Sequence, residues 1–221
     1  MKVIITGSTG MVGKGVLLEC LDHEDITKVL SVGRSSLNIT HPKLIELLHS
    51  DFSDFESVRD QLKGYDACYL CMGVSNAGLS EAAFFKLTYT YTLALAKVVQ
   101  AENANATCTY VSGEGTDSTE KGSTMWARVK GKTENDLLNL GFKQAFMFRP
   151  GAIIPLRGIK SKTKLYQFFY DYFLWFVKIM KMITPNKVVN TTQIGLAMIH
   201  ATQSGYDKSI LLPKDIIQLA Q

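Results

Sequence analysis

Thr6-Gly7-Ser8-Thr9-Gly10-Met11-Val12-Gly13 is the stretch that most narrows what this chain can fold into. Its glycines are spaced G-x-x-G-x-x-G. They follow an apolar run of strand length, Lys2–Thr6, and precede a helix-length segment, Met11–Asp22. A strand that turns on glycines straight into a helix leaves unpaired N–H groups at the helix start, above the strand end. Gly7 permits the tight turn, Gly10 lets the backbone approach a pyrophosphate, and Gly13 lets the helix pack close to the strand. The helix dipole favours an anion at that spot. The expected contacts to a dinucleotide are Gly7, Ser8, Thr9, Gly10, Met11, Val12 and Gly13. The plain alternative is a glycine turn with no ligand.

The strand-then-helix rhythm continues. Apolar runs at Lys28–Val32, Leu44–Leu48, Ala67–Met72, Thr107–Ser112 and Gln144–Phe148 read as strands. Phe55–Leu62, capped by Asp54, then Leu79–Ala101 and Ser123–Leu140 read as helices. Strands this uniformly apolar are covered on both sides. The expected fold is α/β: a Rossmann-like, doubly wound parallel sheet with helices on both faces. After Pro150 the pattern loosens. A short helix, Thr192–Ala201, and a short strand, Ser209–Leu212, close the chain. Residues from about 152 to 221 therefore read as a small C-terminal lobe within one domain, 1–221. With 46% hydrophobic and 20% charged residues, the chain can build such a core and is not disordered.

The net charge of +4 comes without a basic stripe, so no nucleic-acid partner is expected. Met1-Lys2 runs straight into the first strand, with no leader-like segment, and a cytoplasmic setting is expected. Cys20, Cys68, Cys71 and Cys108 read as buried thiols. Cys68 and Cys71 spell C-x-x-C, but on a strand i and i+3 face opposite sides. His23, His41, His49 and His200 show no metal-ligand spacing.

Dinucleotide binders that prefer NAD carry an acidic residue about 20 residues past the glycines. Here that position falls in Val32-Gly33-Arg34-Ser35-Ser36, which has no carboxylate. A guanidinium grips a 2′-phosphate that an Asp would repel. Arg34 and Ser35 thus point to NADP, with NAD the alternative.

Asp51-Phe52, Cys71-Met72-Gly73, Val111-Ser112, Val129-Lys130-Gly131 and Phe148-Arg149-Pro150-Gly151 follow in order. With the glycine loop they resemble an atypical short-chain dehydrogenase/reductase of the extended, epimerase-like kind. Within it, the chain looks like the Tat-interacting-protein-like oxidoreductases and their bacterial relatives. The resemblance is specific over the first 150 residues and loose after Arg157. It implies that Asp51 and Phe52 sit by the adenine, and that Met72 and Gly73 line the nicotinamide side. It also implies that Ser112 polarises a substrate oxygen and that Lys130 binds the nicotinamide ribose. The family's acid/base tyrosine stands four residues before the lysine. That position is Trp126.

The spacing of four keeps Trp126 and Lys130 on one helical face. The chemistry changes, because an indole N–H donates and cannot shuttle a proton. Tyr110, Tyr89, Tyr91, Glu114 and Asp117 are the substitutes at hand, with Tyr110 expected to point at the site from deeper in the sheet. Three readings stay open. One is an NADP-dependent oxidoreductase or epimerase with a weak Ser112-Trp126-Lys130 site. The others are a non-catalytic cofactor-binding sensor or interaction protein, and a membrane-surface protein.

Leu165–Ile183 is dense in aromatics, and seven basic residues against one acid span Arg157 to Lys187. Its longest apolar run, Tyr172–Val177, is far short of a membrane span. It reads as a core helix, a substrate lid or homodimer face, or a peripheral membrane contact.

Overall fold

The computed structural model describes residues 1–159 and 187–221. The aromatic segment 165–183 lies outside them.

Six strands appear where the apolar runs predict them: β1 (Lys2–Thr6), β2 (Lys28–Gly33), β3 (Leu44–Leu48), β4 (Ala67–Leu70), β5 (Thr107–Val111) and β6 (Gln144–Phe148). Two short strands, β7 (Ala152–Ile154) and β8 (Val188–Asn190), pair with each other in parallel. The short strand expected at Ser209–Leu212 is β9 (Ile210–Leu211), which joins the main sheet beside β6. The sheet is parallel throughout, in the order β3-β2-β1-β4-β5-β6-β9. The direction of winding reverses between β1 and β4. Doubly wound sheets hold their ligands above the strand ends at such a point.

Alternating strand residues feed two apolar layers. On one face Val3, Ile5, Tyr69 and Phe148 pack against α1 (Met11–Asp22) and a later helix, Thr191–Ser204. On the other, Ile4, Leu30, Cys68 and Met147 pack against Leu93, Val99 and Leu137 and against Phe55 and Leu62. Burying each such aliphatic side chain contributes about 1.5–3 kcal/mol before entropy is counted. Cys68 and Cys71 fall in opposite layers, as the strand period requires.

The helix expected over Leu79–Ala101 is a composite. Ser80 caps it, accepting from Ala83 N at 3.3 Å. It runs as α2 (Glu81–Phe85), a π-helical turn at Lys86–Thr90, and α3 (Tyr91–Glu102). Wide turns of this kind recur at functional sites, and this one brings both Leu87 and Tyr91 to the cleft described below. Phe55–Leu62 forms only a 3₁₀ helix, Glu56–Leu62, whose N-cap position holds Phe55. Asp54 still helps, accepting from Glu56 N at 2.8 Å. The next helix, α4, spans Met125–Leu138.

Of the stretch read as a C-terminal lobe, the described residues 191–221 return to the main sheet. Thr191–Ser204 forms α5, whose Gly195 meets α1 so closely that an added Cβ would lie 2.7 Å from Glu19 Cγ. Pro213–Leu219 forms α6, a helix the sequence pattern does not announce.

Candidate functional site

A cleft of about 870 Å³ opens over the ends of β1, β4 and β5, a size suited to a large ligand. Gly7, Thr9, Gly10, Met11 and Val12 line one end, Arg34 and Phe52 one side, and Met72 and Gly73 the middle. Ser112, Gly113, Trp126 and Lys130 line the other end.

Backbone makes the first end. Gly7 has φ +73°, and a Cβ there would come 2.5 Å from the Cys71 carbonyl oxygen. A Cβ on Gly13 would lie 2.2 Å from the Gly7 oxygen. Only glycines let strand, loop and helix meet this closely. Gly10 N donates to Gly7 O at 2.8 Å, and the helical ladder starts with Lys14 N donating to Gly10 O at 2.9 Å. The N–H groups of Met11 and Val12 precede that first rung, so no helical carbonyl takes them.

The predicted contacts separate into those at the cleft and those behind it. Ser8 is buried, and its hydroxyl accepts from Ser31 Oγ at 2.8 Å, which ties the loop to β2. Gly13 is buried behind the loop. Arg34 is exposed and forms no ion pair among the described residues. Ser35 is exposed and outside the lining. Asp51 is exposed too. Ser53 donates to its carboxylate from the backbone at 2.9 Å and from the hydroxyl, holding it below the usual range.

Side chains make the other end. Trp126 and Lys130 stand one turn apart on α4, with Lys130 Nζ 6.0 Å from the indole ring. The ring rests against Gly115, where an added Cβ would lie 3.3 Å from it. Lys130 Nζ donates to the Ser112 carbonyl oxygen. Desolvation lowers its pKa to about 8, while Glu134 acts in the opposite direction.

Ser112 has a different occupation from the one the resemblance implies. Its side chain is buried, and its hydroxyl donates to Glu134, with the Phe148 carbonyl a second acceptor at 3.2 Å. Glu134 is fully buried. It receives Arg149 Nε at 3.0 and 3.1 Å and the Nη2 group besides. Arg149 also donates to Ser118 Oγ. The next residue, Gly113, has no side chain to send into the cleft.

Tyr110 corrects an expectation for the same reason. It shares a strand face with Ser112, and that face is the core. Its hydroxyl pairs with Thr133, and burial pushes its pKa up. Tyr89 donates to Asp136 Oδ2 at 2.5 Å, away from the cleft. Asp117 closes its own loop, accepting from Thr119 N at 2.9 Å and Gly122 N at 2.7 Å. Tyr91 and Glu114 do line the cleft. All four cysteines are free and buried, and burial alone lifts Cys68 to about 12.

Sequence reasoning passed over Glu134 and gave Arg149 no role. The signal was available: Glu134 lies one turn past Lys130, on the stripe of Ala127, Val129 and Leu137 that the helix buries. A carboxylate there needs a cationic partner.

Residues 3–127 match the family described as the NAD dependent epimerase/dehydratase family. The chain is 27% identical to "Protein FMP52, mitochondrial" of Candida albicans over 161 residues, 71% of this chain and 69% of that protein. It is 26% identical to Protein HTATIP2 of Rattus norvegicus over 156 residues, 69% of this chain and 63% of the relative. Among solved structures, the UDP-N-acetylglucosamine 4-epimerase of Methanobrevibacter ruminantium M1 superposes with a TM-score of 0.70 at 15% identity. That match covers 95% of this chain and 74% of the epimerase. The resemblance drawn from the motifs and the doubly wound fold are both borne out. The cytoplasmic expectation is withdrawn, because the yeast relative is named mitochondrial. No helix among the described residues is long and apolar enough to cross a membrane.

Proposed function

The chain belongs to the NAD dependent epimerase/dehydratase family, and we propose that it binds NADP(H) along the cleft and performs carbonyl–alcohol chemistry weakly. The residues fit a dinucleotide. The glycine loop presents the Met11 and Val12 N–H groups to a pyrophosphate, and Arg34 offers an uncommitted guanidinium for a 2′-phosphate. A bound nicotinamide supplies hydride transfer. Lys130 binds its ribose, and Trp126 holds a substrate oxygen through its indole N–H.

One observation carries the weak-catalysis reading. The position one turn before Lys130 is an indole, and the nearby hydroxyl of Ser112 donates into the core at Glu134. The same pairing favours a second reading, a cofactor-binding sensor without turnover.

Fluorescence titration with NADPH and NADH tests the cofactor. NADPH binds more tightly, and Arg34→Ala costs it about 1–3 kcal/mol, the range for charge-assisted hydrogen bonds, with little effect on NADH. Equal binding of the two removes the NADP assignment. Trp126→Tyr raises turnover of an aldehyde probe by about 10²-fold or more, the usual worth of a general acid, at nearly constant NADPH affinity. A variant no faster than wild type overturns the claim that Trp126 limits the reaction, and no turnover by either supports the sensor.

A further inference from the structure

We infer that Lys130 is itself the proton carrier of this cleft, its ammonium donating to the oxygen of a bound carbonyl. The inference rests on the proposed reading of the cleft as a dinucleotide site, and adds to it the poorer donor that is left to a weak catalyst when the tyrosine is missing.

Position comes first. Lys130 lines the cleft, and its Nζ is held by a backbone acceptor, the Ser112 carbonyl. An ammonium has three N–H donors, so two remain for a ligand. Space comes second. A Cβ on Gly113 would find Lys130 Nζ at 3.9 Å and the Pro150 oxygen at 4.0 Å as its near neighbours. No atom crowds that point, and at φ +152° the position suits glycine, which sends no side chain toward the amine. Gly113 and Lys130 line the same end of the cleft, so the bare glycine leaves the amine's neighbourhood to a ligand.

The surrounding charges leave the amine free to act. On its own helix, Glu134 is engaged by Arg149 and Ser112, Lys132 pairs with Asp136 at 3.1 Å, and Arg128 pairs with Glu81 of α2 at 3.0 Å. In the loop after β5, Asp117 is taken up by Thr119 and Gly122. In the helical run packed against α4, Tyr89 is committed to Asp136. Tyr91 and Glu114 share the cleft lining with Lys130. Lys130 thus forms no ion pair of its own among the described residues. Desolvation brings its pKa to about 8, where a general acid is most effective near neutral pH.

The step balances. The reductant is a bound reduced nicotinamide dinucleotide, which gives a hydride to the carbonyl carbon and leaves oxidised. The π pair of the C=O bond moves to oxygen. One N–H bond of Lys130 breaks as the new O–H bond forms, and the neutral amine recovers its proton from water.

The test uses the full chain and two readouts. In chain labelled with ¹³C-lysine and free of cofactor, the Lys130 resonance is the one lost in Lys130→Arg. It titrates near pH 8, well apart from ordinary lysines near 10.4. Arginine keeps the cation but does not give up its proton. Lys130→Arg therefore holds NADPH affinity within about threefold and lowers aldehyde turnover by about 10²-fold or more. Wild-type turnover falls as pH rises through 8. A Lys130 that titrates with the other lysines, or an Arg variant as fast as wild type, overturns the inference alone; a wild type that binds NADPH but turns over nothing on an aldehyde and ketone panel overturns it together with the weak-catalysis reading. Failure of wild type to bind NADPH overturns the dinucleotide reading, and the inference with it.

Discussion

The two ends of the cleft are built from different materials. At the β1–α1 end the proposed contacts are backbone N–H donors, and the residues that shape it are glycines without side chains. At the β5–α4 end the proposed groups are side chains, and each takes its orientation from residues far away in sequence. Ser112 points where Glu134 draws it, Glu134 is held by Arg149, and Lys130 is aimed by a carbonyl. A backbone site fails when atoms are added to it. A side-chain site fails when one partner is removed, because the others are left buried and unpaired.

The largest expected effect comes from removing a partner. Glu134→Ala strips the countercharge from Arg149 and the acceptor from Ser112. Breaking a buried pair this way costs about 3–5 kcal/mol. Urea unfolding should show a lower midpoint at unchanged slope. Because the damage begins at β5, the Lys130 resonance moves while the glycine-loop amides keep their shifts. A loss under about 1 kcal/mol would mean that the network does not hold this end together.

The opposite experiment adds atoms at the other end. In Gly13→Ala the new methyl meets the Gly7 carbonyl at 2.2 Å, backbone against backbone, so α1 has to shift. Overpacking costs about 1–3 kcal/mol, and the displaced N–H groups lose the pyrophosphate. NADPH binding should disappear while the Glu134–Arg149 pair stays formed. Retained binding would break the contrast between the ends.

This difference also explains what the sequence disclosed. The glycine spacing, the Arg34 position and all seven strands of the main sheet were legible because each depends on residues within a few places of one another. Trp126 was legible as a departure, since a spacing of four is a local fact. The inward turn of Ser112 was not. Strand alternation puts Tyr110 and Ser112 on one face, but whether that face is core or cleft depends on Glu134 and Arg149, more than 20 residues downstream. The π-helical turn at Lys86–Thr90 was hidden for a related reason: its composition suits an ordinary helix, and only tertiary packing selects the wide form.

The smallest effect is the most informative about electrostatics at the side-chain end. Lys130 has its pKa lowered to about 8 by desolvation, against about 10.4 in an unfolded chain. Below pH 8 both states are protonated, and the folded state bears the full cost of holding the charge. Between pH 8 and about 10.4 the unfolded state binds the proton and the folded state does not, so stability rises with pH across that window. Lys130→Met removes the charge and keeps most of the apolar stem. At pH 7 the variant should be more stable than wild type by roughly 1–3 kcal/mol, a figure discounted for partial solvent access. The advantage should shrink from pH 8 and be gone by about 10.5, as wild type releases its proton. Denaturation at pH 7, 8.5 and 10 distinguishes this from simple apolar repacking, which would stabilise equally at all three. A pH-independent gain would mean that Lys130 sits in water-like surroundings, and that this end of the cleft is as open as the glycine end.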